Sequence, residues 1–299
     1  MRVFVTGSTG FIGTHVVKEL ISAGHTVVGL TRSDAGEEAL ALVGAEVCRG
    51  DVNDPDCIRS AAAAADAVIH MAFDHDISKL ALNCQKDRVV IEALGEVLAG
   101  SNRPLIVASG TGLVARSKPN EPVIETDKHA SSAQAPRAAT EAAAAAISTN
   151  GGNVVVVRLS QVHDTQHQGR IREHIRLARE KGYVAYVGEG QNHLSAVHIS
   201  DAARLFRLAL EGGRAGAHYH AVGEEGVAMR DIAEAIGTGL KLPVKSLTPE
   251  ELPGYFGPIA SLAMLDLAAS GTWTRQELGW NPTGPSFLAD LYGTDYSAL

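Results

Sequence analysis

The stretch Thr6-Gly7-Ser8-Thr9-Gly10-Phe11-Ile12-Gly13 constrains this chain more than any other. It follows Arg2-Val3-Phe4-Val5, an apolar run of buried-strand length, and leads into Thr14-His15-Val16-Val17-Lys18-Glu19-Leu20, which reads as a helix. Glycine lets the backbone turn tightly and lets a ligand approach closely. A helix start presents free N–H groups and the positive end of the helix dipole. Together these features make a cradle for a diphosphate. Three glycines in an ordinary strand–helix turn would carry no such meaning. Here a second apolar strand, Thr26-Val27-Val28-Gly29-Leu30, follows at the distance of a strand–helix–strand unit. That context points to a dinucleotide, with Gly7, Thr9, Gly10, Phe11, Ile12 and Gly13 as its contacts.

Strands and helices then alternate. Strands are expected at 45–51, 67–72, 104–109 and 154–159, and helices at 37–43, from Asp54-Pro55 through the alanines at 61–65, at 81–98 and at 137–149. Such alternation predicts a doubly wound parallel sheet with helices on both faces. The segment 116–136, rich in Pro, Ser and acidic residues, reads as a loop. After residue 159 the rhythm breaks into a basic amphipathic helix at 171–181, short strands near 183–190, 194–199 and 219–222, and helices with Gly/Pro turns to the end.

A chain of 299 residues buries a full core. The formal net charge is −8 with no basic block, which argues against nucleic acid as a partner. Cys48, Cys57 and Cys84 are scattered, as expected of reduced thiols in a cytoplasm. The first strand begins at once, so no signal peptide is expected, and no apolar run reaches the length of a membrane span. The histidines form no metal-ligand frame, and no metal is expected.

The glycine motif, Gly50-Asp51-Val52, His70-Met71-Ala72, Asn83, Val155-Val156-Val157-Arg158-Leu159, Ala196-Val197-His198-Ile199-Ser200-Asp201-Ala202-Ala203-Arg204 and Leu278-Gly279-Trp280-Asn281-Pro282 occur in a telling order. Through them the chain resembles the extended short-chain dehydrogenase/reductase superfamily, specifically its atypical NAD(P)-dependent epimerase/dehydratase-like members. The resemblance covers nearly the whole chain. It implies a nucleotide-binding Rossmann domain over 1–159 and a smaller, mostly substrate-binding part over 160–299, with 194–222 returning to the first domain. Asp51 and Val52 would meet the adenine, and Met71, Ala72 and Phe73 would line the pyrophosphate and ribose. It also implies a homodimer through helices 81–98 and 137–149. The second strand ends in Thr31-Arg32-Ser33, where this fold meets the adenosine ribose. A guanidinium suits the 2′-phosphate, so Arg32 and Ser33 point to NADP rather than NAD. Asp34 is the competing carboxylate. His70 is expected to satisfy local backbone.

The superfamily's usual chemistry takes a Ser or Thr after strand five, a Tyr, and a Lys four residues on that lowers the tyrosine pKa. Ser109-Gly110-Thr111 supplies two candidate hydroxyls, and spacing does not choose between them. No tyrosine anywhere is followed by lysine at that distance. Alignment through Glu141 puts Ala133 at the tyrosine position and Arg137 at the lysine position. Arginine can hold a ribose or an anion but does not titrate. Three readings stand. The first is an NADP-dependent oxidoreductase of a small carbonyl or alcohol, with His163 as substitute proton donor. The second is an NADP-binding redox sensor without turnover. The third is a sugar-nucleotide epimerase or dehydratase. The substrate pocket is expected at the ends of strands five and six, under 113–135, 160–195 and 253–265, with Tyr183, Tyr186, His193 and Phe256. The row Arg170, Arg172, Arg176 and Arg179 reads as a solvated face, with an anionic substrate as the alternative.

Overall fold

The computed structural model describes residues 1–116, 118 and 121–298. Of the 116–136 segment, Ser117, Pro119 and Asn120 lie outside the described residues. The first half follows the expected alternation: β1 (Arg2–Thr6), α1 (Phe11–Ser22), β2 (Thr26–Thr31), α2 (Asp34–Leu42), β3 (Glu46–Arg49), α3 (Pro55–Ala63), β4 (Ala67–His70), α4 (Leu80–Leu98), β5 (Leu105–Gly110), α5 (Ala139–Thr149) and β6 (Val154–Leu159). The second half runs β7 (Gln161–His163), α6 (Ile171–Lys181), β8 (Val184–Val187), β9 (His193–His198), α7 (Ile199–Gly212), β10 (His218–Ala221), β11 (Glu224–Ala228), α8 (Met229–Leu240) and β12 (Val244–Leu247). It ends with α9 (Leu252–Phe256), α10 (Ala260–Ala263), α11 (Thr272–Leu278) and α12 (Phe287–Gly293).

Seven strands form one parallel sheet in the order β10-β6-β5-β4-β1-β2-β3. Strand order reverses beside β1, and the crevice at the carboxyl ends there is where such sheets bind ligands. Both faces are buried. Val3, Val5, Ile69 and Val157 pack toward α1 and α7, while Phe4, Val68, Leu105 and Val156 pack toward the α3, α4 and α5 side. This explains the near-continuous apolar runs in the strands. Local chemistry starts the helices. Asp54 accepts from the N–H groups of Asp56 and Cys57, with Pro55 in the first turn of α3. Among the described residues, no helix is long and apolar enough to cross a membrane.

Residues 194–222 return to the main sheet only in part. Strand β9 lies between β7 and β11 in a separate three-stranded sheet. The chain leaves the large sheet at Ser160, whose hydroxyl bonds the Ala221 carbonyl at 2.6 Å, and β9 follows β7 rather than β6. What returns is α7, packed on α1, and β10, paired with β6. Two segments far apart in sequence meet at this return. The Trp280 indole N–H donates to the Asp201 carbonyl at 3.0 Å. The Asp201 carboxylate accepts from the N–H groups of Thr283 at 3.1 Å and Gly284 at 2.7 Å. Trp280 is 1% exposed and joins the α1/α7 core. Trp280→Ala is therefore expected to lower unfolding stability by about 3–5 kcal/mol, measured by urea denaturation. A loss below about 1 kcal/mol would contradict this role for the ring.

Candidate active site

The cradle rests on backbone contacts that exclude side chains. Gly7 has φ +69°, and a Cβ there would lie 2.8 Å from the Ala72 nitrogen. A Cβ on Gly13 would lie 1.9 Å from the Gly7 carbonyl oxygen. The end of β1, the start of α1 and the end of β4 thus share a space that only glycine leaves open. Gly10 differs. Its φ is −79°, and a Cβ would meet only the Gly7 carbonyl oxygen at 3.3 Å. A side chain there would ask the carbonyl to give by a few tenths of an ångström, which makes Gly10 the least constrained of the three glycines. No side chain caps α1 and no acidic residue sits in its first turn. Its first N–H groups remain available to a diphosphate.

At the ends of β2 and β3, Asp34 turns away and accepts from Arg49 at 2.8 Å; Arg49 also binds Glu37 at 2.7 Å. Arg32 remains open, its side chain 74% exposed, with only Asp51 at 3.6 Å. The Ser33 hydroxyl accepts from the Gly36 N–H and caps α2. Asp51 accepts from the Asn53 backbone and side chain, each at 2.8 Å. Those bonds and Arg32 hold its carboxyl below the usual range against a burial effect in the other direction. Val52 is half-buried beside this corner.

A buried polar chain runs from the cradle to the far side of the site. Thr6 Oγ1 lies 2.7 Å from His70 Nδ1 and accepts from the N–H groups of Met71 and Ala72, each at 3.2 Å. His70 Nε2 meets Asp87 Oδ1 at 3.1 Å. The other Asp87 oxygen accepts from Arg137 and from Thr140, each at 2.5 Å. Thr6 donates to His70 Nδ1 in the arrangement that lets His70 donate to Asp87. His70 therefore bonds side chains on β1 and α4, not local backbone as expected. Burial alone would raise the Asp87 pKa, but His70, Arg137 and Thr140 hold it below the usual range. The Arg137 guanidinium carbon lies over the Phe73 ring, 3.5 Å from its centroid. Asn83 Nδ2 donates to the Asp74 carbonyl at 3.1 Å and pins the loop carrying Phe73.

The two hydroxyls after β5 are not equivalent. Ser109 donates to Glu141 Oε1 at 2.6 Å. Glu141 is fully buried and bound through two nitrogens by Arg158, with Nη2–Oε2 at 2.7 Å and Nε–Oε1 at 3.0 Å. Arg158 and Ser109 outweigh burial and keep the carboxyl ionised below its ordinary value. The Ser109 proton is thus committed to a structural network. Thr111 makes only a 3.4 Å contact to the Leu159 carbonyl and retains the freer donor.

A family model for NAD dependent epimerase/dehydratase proteins matches residues 3–223. The chain belongs to that family. An uncharacterized protein of Schizosaccharomyces pombe, C2A9.02, is 40% identical over 298 residues, 99% of this chain and 100% of the relative. A 2-alkyl-3-oxoalkanoate reductase of Stenotrophomonas maltophilia is 28% identical, over 99% of this chain and 90% of its own length. The structure of DesIV, a dTDP-glucose 4,6-dehydratase of Streptomyces venezuelae with NAD bound, superposes with a TM-score of 0.77 at 21% identity. The superposition covers 99% of this chain and 96% of DesIV and shows the fold.

Where the family's tyrosine is sought, Ala133 lies exposed in a turn before α5. The six tyrosines are placed elsewhere. Tyr183 and Tyr255 pack on α6 and α9, Tyr186 beside Arg230, Tyr219 on β10, and Tyr292 and Tyr296 near the end of the chain. His163 does not fill the gap. It is not on a loop but in β7, 0% exposed, bonded through Nδ1 to Asp290 at 2.7 Å and packed on Phe287 and His198. A side chain lining an open pocket must present surface to it, and His163 presents none. The structure thus brings together the cradle residues with Met71, Ala72, Phe73 and Arg137, sets Ser109 on the neighbouring strand β5 and Thr111 in the turn after it, and leaves His163 out. The His70–Asp87–Thr140 chain escaped the sequence reading; its one signal was Asp87, a charge four residues after Asn83 on the same helix face.

Burial also sets the acid behaviour of the domain. His220 donates to the Ser270 carbonyl at 2.8 Å through Nδ1 and faces Arg158 Nη1 at 3.3 Å through Nε2, so a proton on Nε2 would meet a donor. Burial and Arg158 push its pKa down to about 4. The unfolded chain takes up a proton near the ordinary 6.5 that the folded chain refuses. Stability is therefore complete above that pH and falls as pH drops from there toward 4, by at most about 1.4 kcal/mol per pH unit for this group. Asp87 and Glu141, lowered in the fold, add their losses below the ordinary carboxyl range. Urea midpoints measured from pH 7 to pH 4 are expected to decline, less steeply in His220→Gln. A flat profile would contradict the assignment.

Proposed function

We propose that this family member is an NADP-dependent reductase of a small carbonyl compound that works without a tyrosine acid. The carrying observation is Arg137, anchored by Asp87 at the lysine position and laid over Phe73 beside the cradle. It can hold the ribose or phosphate side of the cofactor, while Thr111 polarises the carbonyl oxygen by donating to it. When bound, the cofactor supplies the hydride. The proton comes from water, since no titrating group replaces the phenol at Ala133. The name of the Stenotrophomonas relative, an oxoalkanoate reductase, supports carbonyl reduction. Open Arg32, with Asp34 diverted to Arg49, supports NADP. The missing tyrosine favours a second reading, a redox-sensing binder without turnover.

NADPH is expected to bind at least about tenfold more tightly than NADH by fluorescence titration, and Arg32→Ala to erase the difference. Equal affinity of the unaltered protein for both would contradict the NADP assignment. Aldehydes, ketones and quinones screened with NADPH by absorbance are expected to include a substrate, with Thr111→Val lowering its kcat about 100-fold. Tight NADPH binding with no turnover of any compound would select the sensor.

A further inference from the structure

The arginine row on α6 divides in the structure. Arg176 pairs with Glu173 at 2.7 Å and with Glu180 at 2.8 Å. Arg179 donates to the Tyr296 carbonyl. Arg172 is exposed. Arg170 follows none of these patterns. Among the described residues, no carboxylate or carbonyl accepts from its guanidinium; only its backbone is engaged, the N–H by Gln161 Oε1 at 3.2 Å and the carbonyl by the Glu173 N–H at 3.3 Å. Its Nη1 instead lies 3.8 Å from where a Cβ on Gly112 would stand, with Leu267 alongside. Gly112 belongs to the turn that carries Thr111. The residue keeps access to solvent, yet the protein crowds its head enough that burial lowers its pKa, with no acidic group to oppose the effect. That is the situation of a cation at the mouth of a cleft.

One helical turn further, His174 has both ring nitrogens buried and without a hydrogen-bond partner. Its ring tilts against Phe256 at 5.5 Å, and burial with the Arg170 charge pushes its pKa down to about 4. Glu173, between them in sequence, is taken by Arg176. Positions i and i+4 share a helix face. Buried imidazole nitrogens lacking any partner are unfavourable unless a further group completes them, and a guanidinium without a counter-charge is available to bring one in. Both can donate, and the positive charge selects an acceptor that is negative. The segment leading into α6 also touches the cradle, since His167 stacks on Phe11 with centroids 4.4 Å apart. The pair thus lies on the segment that borders the glycine turn.

We propose that Arg170 and His174 form a subsite for an anionic group on the substrate, a carboxylate or a phosphoryl, held between α6 and the turn after β5. This rests on the reading that Thr111 faces the reacting carbonyl. It narrows the substrate to a carbonyl compound carrying an oxyanion group.

The test uses the full chain saturated with NADP, so that the cradle and the ribose corner are occupied. Its thermal midpoint is recorded as chloride is replaced by acetate or by inorganic phosphate at constant ionic strength. At about ten times the dissociation constant, a bound anion is expected to raise the midpoint by about 2–4 °C. A response to phosphate alone identifies a phosphoryl site, a response to acetate alone a carboxylate site, and a response to both an oxyanion site of either kind. Arg170→Gln is expected to abolish the response and Arg172→Gln to preserve it; His174→Gln, expected to weaken it severalfold, serves if Arg170→Gln does not fold. No response in NADP-loaded protein, or one that survives the Arg170 and His174 substitutions, overturns the subsite. Failure of NADP itself to bind would strike instead at the proposed function.

Discussion

Everything in this molecule hangs on how closely three backbones approach at the first turn. Gly7 meets Met71 and Ala72 after β4, and Gly13 meets the Gly7 carbonyl, at separations that leave no volume for a methyl group. This closeness places the start of α1 directly above the strand ends where the sheet order reverses. The N–H groups of the helix then face a space with no side chain in it. The same turn is braced from below: Thr6 accepts from Met71 and Ala72 and passes the contact through His70 to Asp87, and so to Arg137. The phosphate cradle and the residue at the lysine position are two ends of one buried hydrogen-bonded chain. Such chains stiffen a site when every member is satisfied.

The electrostatics follow from where counter-charges stand. The chain as a whole is acidic, with net charge −8. Its cations near the cleft are nevertheless used unequally. Arg158 is wholly buried against Glu141 and acts as scaffold. Arg137 pairs with Asp87 and lies over Phe73, with its side chain 19% exposed. Arg32 has only a distant carboxylate, and Arg170 has none among the described residues. This gradation separates cations that hold the protein together from those free to meet phosphate or carboxylate oxygens.

Much of the architecture was legible in the sequence because buried parallel strands write themselves as apolar runs and glycine marks turns that nothing else can make. The glycine turn, the parallel sheet and the absence of a Tyr-x-x-x-Lys pair all follow from short-range patterns. What pattern could not show were pairings across long separations. His163 looked like a loop residue after β6 because nothing local announces that β7 pairs with β9, 35 positions later at Val162–Val197, or that Asp290 waits for its ring. Ser109 and Thr111 looked alike until Glu141, on another helix, took one proton. The arginines on α6 formed a single row in sequence, and only their partners in space set Arg170 apart. Asp34 and Arg32 competed for the ribose on paper, and Arg49 from the adjacent strand separated them.

The central claim is that bare backbone at the first turn exists to admit a diphosphate. Gly10 tests it most directly, because its φ is ordinary and a methyl group would ask only a few tenths of an ångström of the Gly7 carbonyl while standing at the start of α1, where the phosphates are expected. The measurement is calorimetric titration of Gly10→Ala with NADPH beside its thermal midpoint. An unchanged midpoint with affinity reduced at least about tenfold is the outcome the account predicts. A folded Gly10→Ala protein that binds NADPH as tightly as the unaltered chain would contradict it.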